Sequence, residues 1–87
     1  MKFYSVFDAE LDKFSVPFIA DNDLIAQRQF FLMLDKYADT VISQLKLVVV
    51  GSFDEDTGKL TNLPVEEIAK GEGIVAWRKE HVFKETK

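Results

Sequence analysis

The 87 residues suffice for one domain and leave no room for two. Hydrophobic residues at 47% and charged residues at 30% describe a globular chain, while the absence of Cys removes disulfides, thiolate metal sites and Cys nucleophiles. No apolar run reaches the roughly 18 residues of a membrane span, and Asp8 and Glu10 fall where an export signal would still be apolar. These features predict a soluble, cytoplasmic protein.

The formal net charge of −4 argues against a wholly basic nucleic-acid footprint, so the position of the charges matters. Acids cluster at Asp8, Glu10 and Asp12, at Asp21 and Asp23, at Asp54, Glu55 and Asp56, and at Glu66 and Glu67. The stretch from Trp77 to Lys87 is mildly basic, carrying Arg78, Lys79, Lys84 and Lys87 against Glu80 and Glu85.

In chain order, Lys2–Asp8 alternates and is rich in β-formers, which predicts a strand. Asp8-Ala9-Glu10-Leu11-Asp12 reads as a turn, and Lys13–Ala20 predicts a second strand, with Pro17 favouring an edge or a bulge. Asp21-Asn22-Asp23 is a helix-start signal. The helix it opens is predicted to run to about Tyr37 or Ala38, burying Ala26, Phe30, Met33, Leu34 and Tyr37, with Val41 extending the stripe. Leu24, Phe31 and Leu32 fall outside that stripe and point to a partner subunit. Gln44–Phe53 predicts the clearest strand, followed by a hairpin turn with Gly58 at positive φ and a short return strand over Lys59–Asn62. Pro64–Lys70 predicts a short helix, with Pro at its start, acids in its first turn and Gly71 after its end.

The expected fold is α+β: a small antiparallel sheet in β-β-α-β-β order, one long helix packed on one face, and a short C-terminal helix. Residues 1–71 form the domain, and 72–87 a partly mobile tail. Parity places Phe3, Phe7, Phe14, Phe18, Leu45, Leu47 and Val49 under the helix. It leaves Lys2, Tyr4, Val6, Lys13, Ser15, Ile19, Lys46, Val48 and Val50 on the opposite face, where every charge is positive.

That face is the main candidate site. Tyr4 can stack a base while Lys2, Lys13 and Lys46 track phosphates, as single-stranded nucleic acid requires. The competing reading is a solvated face or a dimer interface. The tail from Trp77 through Arg78 and Lys79 to Lys84 interleaves aromatic and basic residues and could order on a strand; the alternative is a loosely docked terminus. Asp54, Asp56 and Gly58 fail the calcium-loop pattern, since Gly misses the sixth place and Val65 occupies the twelfth. Glu66 and Glu67 read as first-turn helix charge, and His81 as a solvated tail residue. No catalytic or metal-binding constellation emerges, so no enzymatic activity and no cofactor are expected.

Several segments together resemble a known family. These are the strand Lys2–Asp8, the pair Pro17-Phe18, the helix segment Ala26-Gln27-Arg28-Gln29-Phe30, and Gly51-Ser52-Phe53-Asp54-Glu55-Asp56-Thr57-Gly58. Over roughly residues 2–70 the chain is similar to the small nonstructural, DNA-binding protein of gokushovirus-type microviruses, which are single-stranded DNA phages. The resemblance implies a phage protein of the bacterial host cytoplasm, absent from the mature virion. It also implies a part in genome replication or in the switch to single-stranded synthesis and packaging. Arg28, inside the recognised helix segment, is then either a phosphate contact or an interface ion pair. Family members often carry a longer insert where this chain has only Ala38–Ser43.

Two functions follow as expectations. One is a homodimeric, non-enzymatic protein binding single-stranded DNA weakly, with a steep loss as salt rises. The other is an adaptor or dimeric regulator that engages viral replication or procapsid proteins without touching DNA.

Overall fold

The computed structural model describes residues 1–77. Strand β1 spans Lys2–Asp8, β2 Lys13–Phe14 and β3 Phe18–Ala20; helix α1 spans Asp23–Leu34 and α2 Asp39–Ile42; strand β4 spans Leu45–Phe53 and β5 Leu60–Lys70. Residues 71–77 are helical and belong to α3. The strands make one antiparallel sheet in the order β2-β1-β4-β5, with β3 sharing the β1 edge with β2. The fold is α+β with a short C-terminal helix, as the patterning predicts.

The predicted second strand is split. β1 pairs Tyr4 with Phe18 and Phe7 with Phe14, so residues 15–17 bulge past Ser5 and Val6. Pro17 has no N–H to give to a ladder, and serine chemistry repairs the gap. The Val6 N–H donates to Ser15 Oγ (2.9 Å), the Ser15 N–H to the Val6 carbonyl (2.9 Å), and Ser5 Oγ to the Ser15 carbonyl (2.8 Å). The bulge also turns Phe14 and Phe18 to opposite faces, against the parity expectation.

Helix α1 starts as expected, with the Asn22 side chain accepting the Ile25 N–H at 2.9 Å. Removing that cap with Asn22→Ala is expected to cost about 1 kcal/mol, read as a drop of a few degrees in thermal melting. The helix stops at Leu34, short of Tyr37, and the one-turn α2 carries the chain back so that β4 can begin opposite Asp8. Ala26, Phe30 and Leu34 are buried, whereas Met33, Tyr37 and Val41 are exposed.

The expected helix over Pro64–Lys70 is instead the second half of β5. β4 is a central strand that buries Leu47, Val48 and Val49, and its backbone groups need a partner along its whole length. That tertiary demand overrides the local helix signals. Pro64 is tolerated because β5 is an edge strand and because Leu63, Pro64 and Val65 bulge past Val50 between the Val49–Glu66 and Gly51–Asn62 pairs. The helix lies further on, at 71–77, where Ile74 enters the core. It can start there because Gly71 lies against α2: a Cβ on it would fall 1.8 Å from the Ile42 carbonyl oxygen.

The core is one cluster containing Tyr4, Ala26, Phe30, Leu34, Ile42, Leu45, Leu47, Val49 and Ile74. Among the described residues α1, α2 and α3 each therefore contribute to a core on the same sheet face. Among the described residues no helix is long and apolar enough to cross a membrane.

Candidate nucleic-acid interface

The faces of β1 are the reverse of those expected from parity. Leu45, Leu47 and Val49 of β4 do lie under the helices, but the register pairs Val6 with Leu47 and Tyr4 with Val49. Residues paired across a ladder point the same way, so Lys2, Tyr4 and Val6 go with the core and Phe3, Ser5 and Phe7 go to the opposite face. Both sides of β1 are apolar, and a one-residue choice of register inverts them. The β4 bulge at Val50 then turns Phe53 to the same side as Phe3, with which it makes an edge-on ring contact at 6.4 Å.

The face away from the helices is thus built in rows across the strands. Phe14, Phe7, Lys46 and Lys70 form the first, and the Phe7 and Phe14 rings lie 4.8 Å apart. Ser5, Val48 and Glu67 form the second. Ile19, Phe3, Gly51 and Asn62 form the third, and Phe53 with Leu60 the fourth. A shallow hollow of about 250 Å³ opens beside Phe3, Pro17, Leu60 and Asn62, and its floor is the bare backbone of Gly51. Phe14 and Leu60 are more than half exposed, and Phe3, Phe7 and Phe53 are half-buried.

The electrostatics are milder than the expected all-positive surface. Lys46 and Lys70 both reach Glu67, at 3.6 and 3.8 Å, which leaves one net positive charge in that trio. Lys2 lies on the helix side, 3.7 Å from Asp23. Lys13 is at the end of β2, in register with Asp8. A second hollow of about 680 Å³ at the sheet's end is lined by Asp21, Asp54, Glu55 and Asp56 together with Lys2 and Lys59, so acidic groups outnumber basic ones there.

Tyr4, expected on the accessible face, is fully buried and offers no ring to a ligand. It stacks on Phe18 (5.9 Å), and its hydroxyl donates to Asp23 Oδ1 at 2.6 Å, joining β1 to the start of α1. Burial, and then the hydrogen bond and charge of Asp23, hold the phenol well above its ordinary pKa. Arg28 is on the exposed side of α1 and Trp77 at the end of the described α3, so neither joins the sheet face. Arg78, Lys79 and the rest of the basic tail lie outside the described residues. Among the described residues no cluster of three His, Cys, Asp or Glu side chains is placed to hold a metal.

Sequence reasoning therefore missed Phe3, Phe7, Phe14, Phe53, Gly51, Asn62 and Lys70 as one surface. A usable signal was Ser5, which makes the Phe3-Ser5-Phe7 side of β1 the poorer choice for a helix-packed core. A family model described as Phage ORF5 protein matches residues 1–74. No curated protein and no solved structure matches the chain.

Proposed function

As the chain belongs to the phage ORF5 protein family, we propose that it is a non-enzymatic phage protein that binds single-stranded DNA on the helix-free face of its sheet. On this reading it is the small nonstructural protein of a gokushovirus-type microvirus. It works in the host cytoplasm on genome replication, or on the switch to single-strand synthesis and packaging, and is absent from the mature virion. The observation that carries the proposal is the single surface holding Phe3, Phe7, Phe14 and Phe53 beside Lys46 and Lys70. Aromatic rings of this kind stack bases without regard to sequence, and two lysines at one end can follow the backbone.

Fluorescence anisotropy with a labelled oligonucleotide tests it. Phe7→Ala and Phe53→Ala are each expected to weaken binding by about 1–3 kcal/mol, or roughly five- to 150-fold. With Lys46 and Lys70 as the phosphate contacts, affinity should fall only about sevenfold between 50 and 200 mM salt. That is shallower than an all-lysine face would give. Binding that survives removal of both rings, or no binding at low salt, would refute the proposal.

The charge pattern favours one second reading, a protein–protein adaptor for viral replication or procapsid proteins. The net charge is −4, and Lys2, Lys46 and Lys70 all face acidic partners. Lys46→Glu with Lys70→Glu separates the two, because only DNA binding needs those charges. Capture of the viral initiator or procapsid by the charge-reversed protein, without oligonucleotide binding, selects the adaptor.

A further inference from the structure

The hollow of about 250 Å³ on the helix-free face has apolar walls from Phe3, Pro17 and Leu60, and Asn62 gives it a carboxamide. Asn is depleted from strands, yet Asn62 lies inside β5, and its side chain takes part in no hydrogen bond among the described residues. The fold therefore makes no use of the amide. Asn62 is in register with Gly51, and Gly51 with Phe3. Paired residues point to the same side, so the amide and the Phe3 ring stand on either side of a residue that has no side chain. That gap spans two strand spacings, roughly 9–10 Å, and its floor is bare backbone.

A flat ring with a polar edge fits such a gap. Laid on the Gly51 backbone, a nucleobase has Phe3 at one end and puts its pairing edge within reach of the Asn62 amide. Glycine in a strand permits that close approach. An amide holds a donor beside an acceptor, and a half-turn of its terminal bond exchanges them. Each DNA base likewise shows a donor beside an acceptor on its pairing edge, so one amide can serve all four. In a duplex that edge is already taken. We propose that the Gly51 hollow is a subsite for one unpaired nucleobase, seated on the Gly51 backbone with its pairing edge on the Asn62 amide, and that this contact selects single strands over duplex without selecting sequence. The inference rests on the DNA-binding reading and adds to it an edge contact that ring stacking does not require.

Anisotropy titrations with a labelled oligothymidylate, and with the same strand methylated at N3 of every thymine, test it. Methylation blocks the pairing edge and leaves the ring face free to stack. The unaltered protein should bind the methylated strand at least about fivefold more weakly, as loss of a bidentate edge contact requires. Asn62→Ala should bind both strands alike, because the contact it removes is the one the methyl group blocks. Asn62 is exposed and on an edge strand, so this variant should fold, which circular dichroism checks. Gly51 is left unchanged, since a Cβ there would press on the Thr61 carbonyl oxygen at 3.0 Å. Equal affinity of the unaltered protein for the two strands, or a methyl penalty that persists in Asn62→Ala, would overturn the subsite and leave stacking on the aromatic face standing. No binding of the plain oligothymidylate would overturn the DNA-binding reading itself, and the subsite with it.

Discussion

Gly71→Ala should destabilise the protein by on the order of 3 kcal/mol or more, seen as a melting midpoint lower by roughly 15–20 °C. The added Cβ would stand 1.8 Å from the Ile42 carbonyl oxygen and 2.8 Å from its carbon, and both are backbone atoms that no rotamer change can move. Relief requires α3 to back away from α2, which pulls Ile74 out of the core it shares with Ile42. Gly73, two residues on in the same helix, is the internal control. Nothing lies within 4 Å of a Cβ at that position, so Gly73→Ala should stabilise by about 0.5–1 kcal/mol through helix propensity and a less flexible unfolded chain. Equal effects at the two positions would mean that the close approach of α3 to α2 does not hold in solution.

Tyr4 carries the second large effect. Tyr4→Ala should cost about 4 kcal/mol, since it empties a fully buried ring site between Phe18 and α1. Tyr4→Phe keeps the ring and loses only the hydroxyl bond to the Asp23 carboxylate, which is expected to cost about 2 kcal/mol. The two forms also differ in alkaline solution. Burial, with Asp23 beside it, raises the Tyr4 pKa in the folded state above the ordinary value of about 10. Below that value both folded and unfolded chains hold the proton, and the stabilisation is complete. As pH climbs past it the unfolded chain releases the proton and the folded chain does not, so unfolding becomes easier by up to about 1.4 kcal/mol per pH unit. Denaturant midpoints from pH 9 to 11 should therefore fall more steeply for the unaltered protein than for Tyr4→Phe. Parallel slopes would show that Tyr4 is not buried with its proton.

Both variants probe contacts that local patterning does not reveal, and the candidate interface shares that property. Phe3, Phe7 and Phe14 are plainly aromatic strand residues in the sequence, yet their side of the sheet follows from the pairing of Val6 with Leu47 and Tyr4 with Val49. Phe53 reaches the same surface only because β4 carries an extra residue at Val50. Lys70 belongs there only because Pro64–Lys70 is a strand. The damping of Lys46 and Lys70 by Glu67 depends on the same strand.

Local patterning was enough for the α+β class, the positions of β1, α1 and β4, the Asn22 cap, the Gly58 turn at φ 74° and the surplus apolar surface on α1. Each of these follows from interactions spanning a few residues: side-chain alternation, helical spacing, and a polar group answering a nearby N–H. Long-range packing set which side of β1 faces the helices, that the chain after Asn62 continues as a strand, and that α3 starts at Gly71. In those places local patterning did not fix the answer. The choice fell to distant partners: the unpaired length of β4, the carboxylate waiting for the Tyr4 hydroxyl, and the Ile42 carbonyl that leaves room for nothing larger than hydrogen.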